Sequence, residues 1–186
     1  MKQRPPTLVP FLCGFLIVVL LALPSESRAN PEKRDYTPPP PASWEYLSDR
    51  VMGGVSEGSA RVEGDHVRLT GEVSTRNRGG FIQTRTDLAR PFPDDAKGLI
   101  IRVRGNGERY FLHLRTTGTI LPWQYYQAGF ETTRDWRTLR VPFSEFQPSG
   151  RMLRGTPRAE TVRSVGFVAF GRDHLADLAA EWIGIY

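Results

Sequence analysis

From residue 61 onward, short runs of alternating apolar and polar residues are broken about every ten residues by clusters of Gly, Pro, Asn or Asp. A period of two puts one set of side chains on one face of a pleated strand and the rest on the other. In RVEGDHVRLTGEVST (61–75), Val67, Leu69 and Val73 share one face, and His66, Arg68 and Thr70 the other. The turn Asn77-Arg78-Gly79-Gly80 precedes a strand over 81–86, and a second turn covers 91–95. Over 98–104, Leu99, Ile101 and Val103 point inward, against Ile100, Arg102 and Arg104. Gly105-Asn106-Gly107 reads as a hairpin turn, with Tyr110, Leu112 and Leu114 inward on the returning strand. Segments 123–132, 136–143, 162–170 and 181–186 complete the set, while 144–146 and 173–178 read as single helical turns. No segment carries a period of 3.6. Seven to nine short strands then have one economical solution, an all-β antiparallel β-sandwich or jelly roll.

The first 43 residues belong to a different kind of chain. Lys2 and Arg4 precede a mostly apolar run from Leu8 to Leu23, Pro24 ends it, and Ser27 and Ala29 sit at −3 and −1 of a cleavage site before Asn30. The run is short of the ~20 residues of a membrane span, so residues 1–29 are expected to be a signal peptide and the mature chain to be periplasmic or secreted. Membrane association follows only if this segment stays uncleaved. Residues 30–43 form a linker whose four prolines at 38–41 favour a stiff extended segment. Residues 44–186 are then the domain, long enough to fold on one core without staples.

Composition removes several functions. Cys13 is the only cysteine and lies in the apolar run, so the mature chain has neither a disulfide nor a thiol nucleophile. Cleavage takes three basic residues and one acid, bringing the formal charge from +5 to +3. Lys33 and Lys97 are the only lysines left, but the arginines are scattered among acids without a basic run, which argues against nucleic acid as partner. The three histidines, His66, His113 and His174, fall on different segments, and no HExxH or GxSxG pattern occurs. No catalytic residue, no metal ligand set and no cofactor site is expected, and Asp173 or Asp177 has no calcium-loop signature around it.

The stretch from Trp44 to Ser56, WEYLSDRVMGGVS, is the entry to the first strands. Its adjacent glycines mark a positive φ or a close backbone approach. It is a tight strand entry or a backbone cradle for a ligand or partner. On the first reading Gly53 and Gly54 shape a buried turn, and Asp49 bonds nearby amides or the 77–80 turn. Gly54→Val would then unfold the domain, through the cost of a β-branched residue at φ > 0.

DRVMGGVS (49–56), NRGGF (77–81), RVRGNGERY (102–110), YQAGF (126–130), Trp136 leading into VPF (141–143), and VGF (165–167) occur in this order. Together they resemble the NADH:ubiquinone oxidoreductase (complex I) intermediate-associated protein 30 family, over nearly all of 44–186. The resemblance implies a galactose-binding-domain-like jelly roll and, from the family's mitochondrial members, an assembly chaperone that holds partly built intermediates. It implies no catalytic residue and no cofactor. The positions it marks, as structural or partner-binding, are Trp44, Asp49, Met52, Gly53, Gly54, Ser56, Asn77, Gly79, Gly80, Phe81, Gly105, Gly107, Tyr110, Tyr126, Phe130 and Trp136. The chain departs from the family pattern at Ser48, where Asn is usual, and at Asn106, where Asp is usual.

A candidate binding face follows from the strand registers. Opposite the inward residues, the central strands collect Arg102, Arg104, His113 and Arg115. The strand at 123–127 adds either Trp123 and Tyr125 or Gln124 and Tyr126. Arginine forks beside aromatic rings suit a carboxylate-bearing or glycan ligand; an ordinary solvated sheet face, with Arg stems over aromatic edges, is the competing explanation. Two functions remain. One is a non-enzymatic assembly factor acting through protein–protein contacts, with a membrane complex as one such partner, and showing an exposed apolar patch. The other is a carbohydrate or cell-wall binding module using the arginine–aromatic face.

Overall fold

The computed structural model describes residues 44–186; the expected signal peptide 1–29 and linker 30–43 lie outside the described residues. The described strands are β1 (Glu45–Ser48), β2 (Glu57–Glu63), β3 (His66–Val73), β4 (Phe81–Asp87), β5 (Gly98–Gly105), β6 (Arg109–Thr116), β7 (Tyr126–Glu131), β8 (Arg137–Pro142), β9 (Gln147–Pro148), β10 (Val162–Phe170) and β11 (His174–Ile185). They form an antiparallel β-sandwich: a six-stranded sheet in the order β1-β4-β10-β6-β7-β9 against a five-stranded sheet in the order β2-β3-β11-β5-β8.

Alternation decides what lies between the sheets. Val67, Leu69 and Val73 of β3, Leu99, Ile101 and Val103 of β5, and Tyr110, Leu112 and Leu114 of β6 are all buried in one core. Phe167 of β10 packs between Trp44, just before β1, and Phe130 of β7, with ring centroids 5.8 and 6.2 Å apart. β10 and β11, the last two strands of the chain, occupy interior positions of the two sheets. β10 pairs with β4 and β6, and β11 with β3 and β5.

The structure corrects two expectations. Gly105-Asn106-Gly107 is a turn, but it does not close a hairpin: β5 lies in the five-stranded sheet and β6 in the six-stranded one. The Gly105 amide donates to the Thr133 carbonyl in the β7–β8 connection and the Asn106 amide to the Asp177 carbonyl on β11, so neither donor of the turn closes a hairpin onto β6. The segment 173–178 is not a helical turn. His174–Ala180 pairs residue by residue with β3, and tertiary pairing overrides the helix preference of its Ala and Leu residues. Residues 143–145 do form a 3-10 turn.

The registers place the connections β1–β2, β3–β4, β5–β6, β7–β8 and β10–β11 at one end of the sandwich. The 88–97, 117–125 and 149–161 connections lie at the other, with Trp44 and Tyr186. The candidate site residues divide between these ends and the two outer faces.

Candidate functional site

Asp49 is the centre of the lead motif. It is fully buried, in a 3-10 turn over Asp49–Met52 that Gly53 ends in the left-handed region at φ 91°. Its Oδ2 accepts from the Gly80 amide and the Ser56 hydroxyl, each at 2.5 Å, and from the Phe81 amide at 3.3 Å. Its Oδ1 accepts from the Ser56 amide at 3.0 Å. Burial disfavours the carboxylate, but these donors outweigh it and hold the pKa below the ordinary Asp value. The carboxylate therefore ties the entry to β2 to the 77–80 turn, as the strand-entry reading expects.

The glycines serve this carboxylate in different ways. Gly53 needs its positive φ and has open space beside it. Gly54 does not have a positive φ; a Cβ there would stand inside the contact radius of Asp49 Cγ, and one on Gly79 would meet Asp49 Oδ2. The reason expected for intolerance at Gly54 is thus corrected from backbone strain to loss of space for the carboxylate. Asn77 and Arg78 take positive φ of 56° and 59° in the exposed part of the same turn, and Gly80 follows at 126°.

A second node joins the ends of β5, β6 and β11. The fully buried Tyr110 donates its hydroxyl proton to Asn106 Oδ1 at 2.7 Å and accepts from the Asp177 amide at 2.8 Å. Asn106 Nδ2 donates to the Leu175 carbonyl at 2.8 Å. An Asp at 106 could not make that last bond, so the departure from the family pattern is used structurally. Gly107 supplies φ 90° in this turn.

The six residues of the expected binding face do not share a face. Arg102 and Arg104 project from the outer face of the five-stranded sheet, and His113 and Arg115 from that of the six-stranded sheet. The expected face requires β5 and β6 to be neighbours, which the crossing between sheets forbids. Arg102 pairs with Glu181, and both Arg102 and Arg104 cover the ring of Trp136, at 5.7 and 4.9 Å from its centroid. Arg115 faces inward to its own loop. Its guanidinium donates to the carbonyls of Thr119, Leu121 and Pro122 at 3.0–3.1 Å.

The register at 123–127 is decided by Tyr126, which is buried with Ala128 and Phe130. Tyr125 lies outside and stacks on His113, centroids 4.0 Å apart and planes at 11°. His113 Nε2 lies 2.8 Å from Gln127 Oε1, so the Nε2–H tautomer donates there. Burial lowers the His113 pKa to about 4, despite that hydrogen bond raising it, and keeps the ring neutral at pH 7. Phe170 meets His113 edge-on at 6.0 Å, and Phe111 meets Phe170 edge-on at 6.0 Å. Sequence reasoning misses both: Phe111 shares the outward side of β6 with His113 by alternation, a signal that could have found it, whereas Phe170 joins this face only because β10 and β6 are neighbours.

Large apolar side chains are exposed at both ends of the sandwich. Val51 and Met52 are 69% and 65% exposed on the turn that Asp49 fixes, and Ile120 and Trp123 are 84% and 67% exposed on the loop that Arg115 holds. Met152 is exposed on the neighbouring 150–153 turn, which Ser149 joins to Trp123 and Tyr125 through its hydroxyl. Among the described residues no helix is long and apolar enough to cross a membrane.

The model of the complex I intermediate-associated protein 30 (CIA30) family matches residues 34–176. No curated protein matches the chain in sequence. Among solved structures, the family 11 carbohydrate-binding module of the cellulosomal cellulase Lic26A-Cel5E of Clostridium thermocellum is 15% identical. It covers 77% of this chain and 86% of its own, with a TM-score of 0.61. The same Clostridium thermocellum module in complex with a β-1,3-1,4-mixed-linked tetrasaccharide gives 15% identity, coverage of 77% and 88%, and a TM-score of 0.61. The agarase AgWH50C is 7% identical, with coverage of 77% of this chain, 22% of its own and a TM-score of 0.53. At these identities the likeness shows the fold, a galactose-binding-like jelly roll.

Proposed function

The chain belongs to the complex I intermediate-associated protein 30 family, and from that membership we propose that it is a non-catalytic binding domain. It acts as an assembly factor through contacts with a protein partner outside the cytoplasm. The observation that carries this reading is the 117–125 loop. Arg115 ties its carbonyls down, so Ile120 and Trp123 are held out to solvent in a fixed arrangement. A Trp presented on a preorganised loop is the kind of residue that dominates protein–protein affinity, because little entropy is lost when it docks. The domain would cover an exposed surface on an incomplete complex until the next subunit replaces it. Envelope cross-linking followed by affinity capture tests this. Wild type is expected to retain defined membrane proteins, and Trp123→Ala to lose them by at least tenfold with an unchanged melting temperature. Equal capture by both would sink the reading.

A second reading is favoured by the His113–Tyr125 stack with Phe111 and Phe170 on one outer face, on a fold shared with carbohydrate-binding modules. On that reading the domain binds a neutral glycan by ring stacking. Retention on insoluble polysaccharide or peptidoglycan, abolished by Tyr125→Ala, would support it. No retention of wild type would remove it.

A further inference from the structure

The outer face of the five-stranded sheet holds a cavity of about 400 Å³ that neither reading uses. Arg68, Arg104, Arg134, Asn106 and Asp177 line it above Ala179. Arg68 donates from Nε and Nη2 to the two oxygens of Asp177 at 2.8 and 2.9 Å, which fixes the carboxylate and fills one lone pair on each oxygen. Arg104 stands one strand away on β5, opposite Ala179 in register, and rests on the Trp136 ring. Arg134 comes from the β7–β8 connection. Among the described residues neither Arg104 nor Arg134 has a carboxylate within salt-bridge distance. Three guanidinium groups thus line the cavity with the one carboxylate of Asp177; Arg68 also reaches Glu63 at 3.6 Å, while Arg104 and Arg134 make neither an ion pair nor a hydrogen bond to a carboxylate among the described residues.

We propose that this cavity binds a uronate, the carboxylate-bearing unit of an acidic saccharide. The free forks of Arg104 and Arg134 suit a planar carboxylate, and the indole fixes the orientation of Arg104. The remaining lone pairs of Asp177 accept neighbouring hydroxyls, which a sugar ring supplies and an isolated anion does not. The volume lies at the small end of ligand pockets, as a single ring requires. An extended acidic peptide fits less well, because β5 is paired on both sides, with β11 and β8, and offers no free edge for strand addition. The proposal rests on the carbohydrate reading for the sugar, and on the arginines for its charge.

Amide chemical shifts of the full chain, titrated with trigalacturonate, cellotriose and a tri-glutamate peptide, test it. Trigalacturonate is expected to shift resonances around Arg104, Arg134 and Asp177. Its affinity should fall at least tenfold in Arg104→Ala or Arg134→Ala and weaken in high salt, yet be unaltered in Tyr125→Ala. Both arginines are exposed, so the melting temperatures should match wild type. Absence of trigalacturonate binding, equal binding of cellotriose in the cavity, or tighter binding of the glutamate peptide there would each overturn it. If cellotriose binds at Tyr125 and trigalacturonate nowhere, the neutral-glycan reading stands and this one falls. Trigalacturonate in the cavity with no neutral glycan on the other face upholds the uronate site and removes the neutral-glycan one.

Discussion

Two adjacent glycines with different reasons for being glycine give the sharpest residue-scale test. Gly53→Ala introduces a left-handed non-glycine residue with free space around it, at a cost of about 1 kcal/mol. Gly54→Ala pushes a methyl into the Asp49 carboxylate and threatens its four donors, at a cost of about 3–5 kcal/mol. Urea denaturation of both variants should show Gly54→Ala as much the weaker; equal losses would point back to backbone strain. His113 gives a second test. Its pKa is about 4 when folded against a reference of 6.5, so the unfolded chain takes the proton first. Its stabilising contribution is complete above pH 6.5 and is lost as pH falls toward 4, by up to roughly 3 kcal/mol. Stability measured across that window should slope less in His113→Phe than in wild type, and parallel curves would contradict the role of burial. Asp49 adds a separate acid sensitivity below the ordinary Asp range, since its folded pKa is depressed.

At the scale of elements, loops here are fixed by single side chains reaching backbone groups. Arg115 holds the 117–125 loop through three carbonyls, which a lysine ammonium on one stem cannot all reach in the same geometry. Limited proteolysis of Arg115→Lys should cut within 117–125 several times faster than wild type while the global melting temperature moves little. Unchanged cleavage would mean that the loop is held by Gln124 and Thr119 alone. The Asn106–Tyr110 node does comparable work where the chain crosses between sheets, tying the start of β6 to β11 of the opposite sheet.

For the whole molecule, the two sheets are completed from the C-terminal end of the chain. β10 and β11 supply interior strands to both, so the sandwich cannot close until residues 162–185 are present. Deleting 174–186 should leave a chain without a cooperative unfolding transition, because β3 and β5 would lose their shared neighbour. Export, proposed from residues 1–29 alone, has its own measurement. N-terminal sequencing of the protein from an envelope or culture fraction should begin at Asn30, and an intact N-terminus from Met1 would contradict cleavage.

Period-two alternation identified the buried face of β3, β5 and β6 from the sequence by itself, because side-chain direction within a strand is local. The lead motif was legible too: an Asp and paired glycines beside a second glycine turn describe a carboxylate bonded to amides, and Asp49 is that. Strand partnership was not legible. A Gly-Asn-Gly turn fits a hairpin and a crossing between sheets equally well, and only the pairing of β5 with β8 and β11 distinguishes them. That one difference separated Arg102 and Arg104 from His113 and Arg115, and put the uncommitted arginines on one face and the aromatic stack on the other. Which residues face outward is written in each strand; which outward residues meet is decided by long-range pairing, and only the folded sheets contain it.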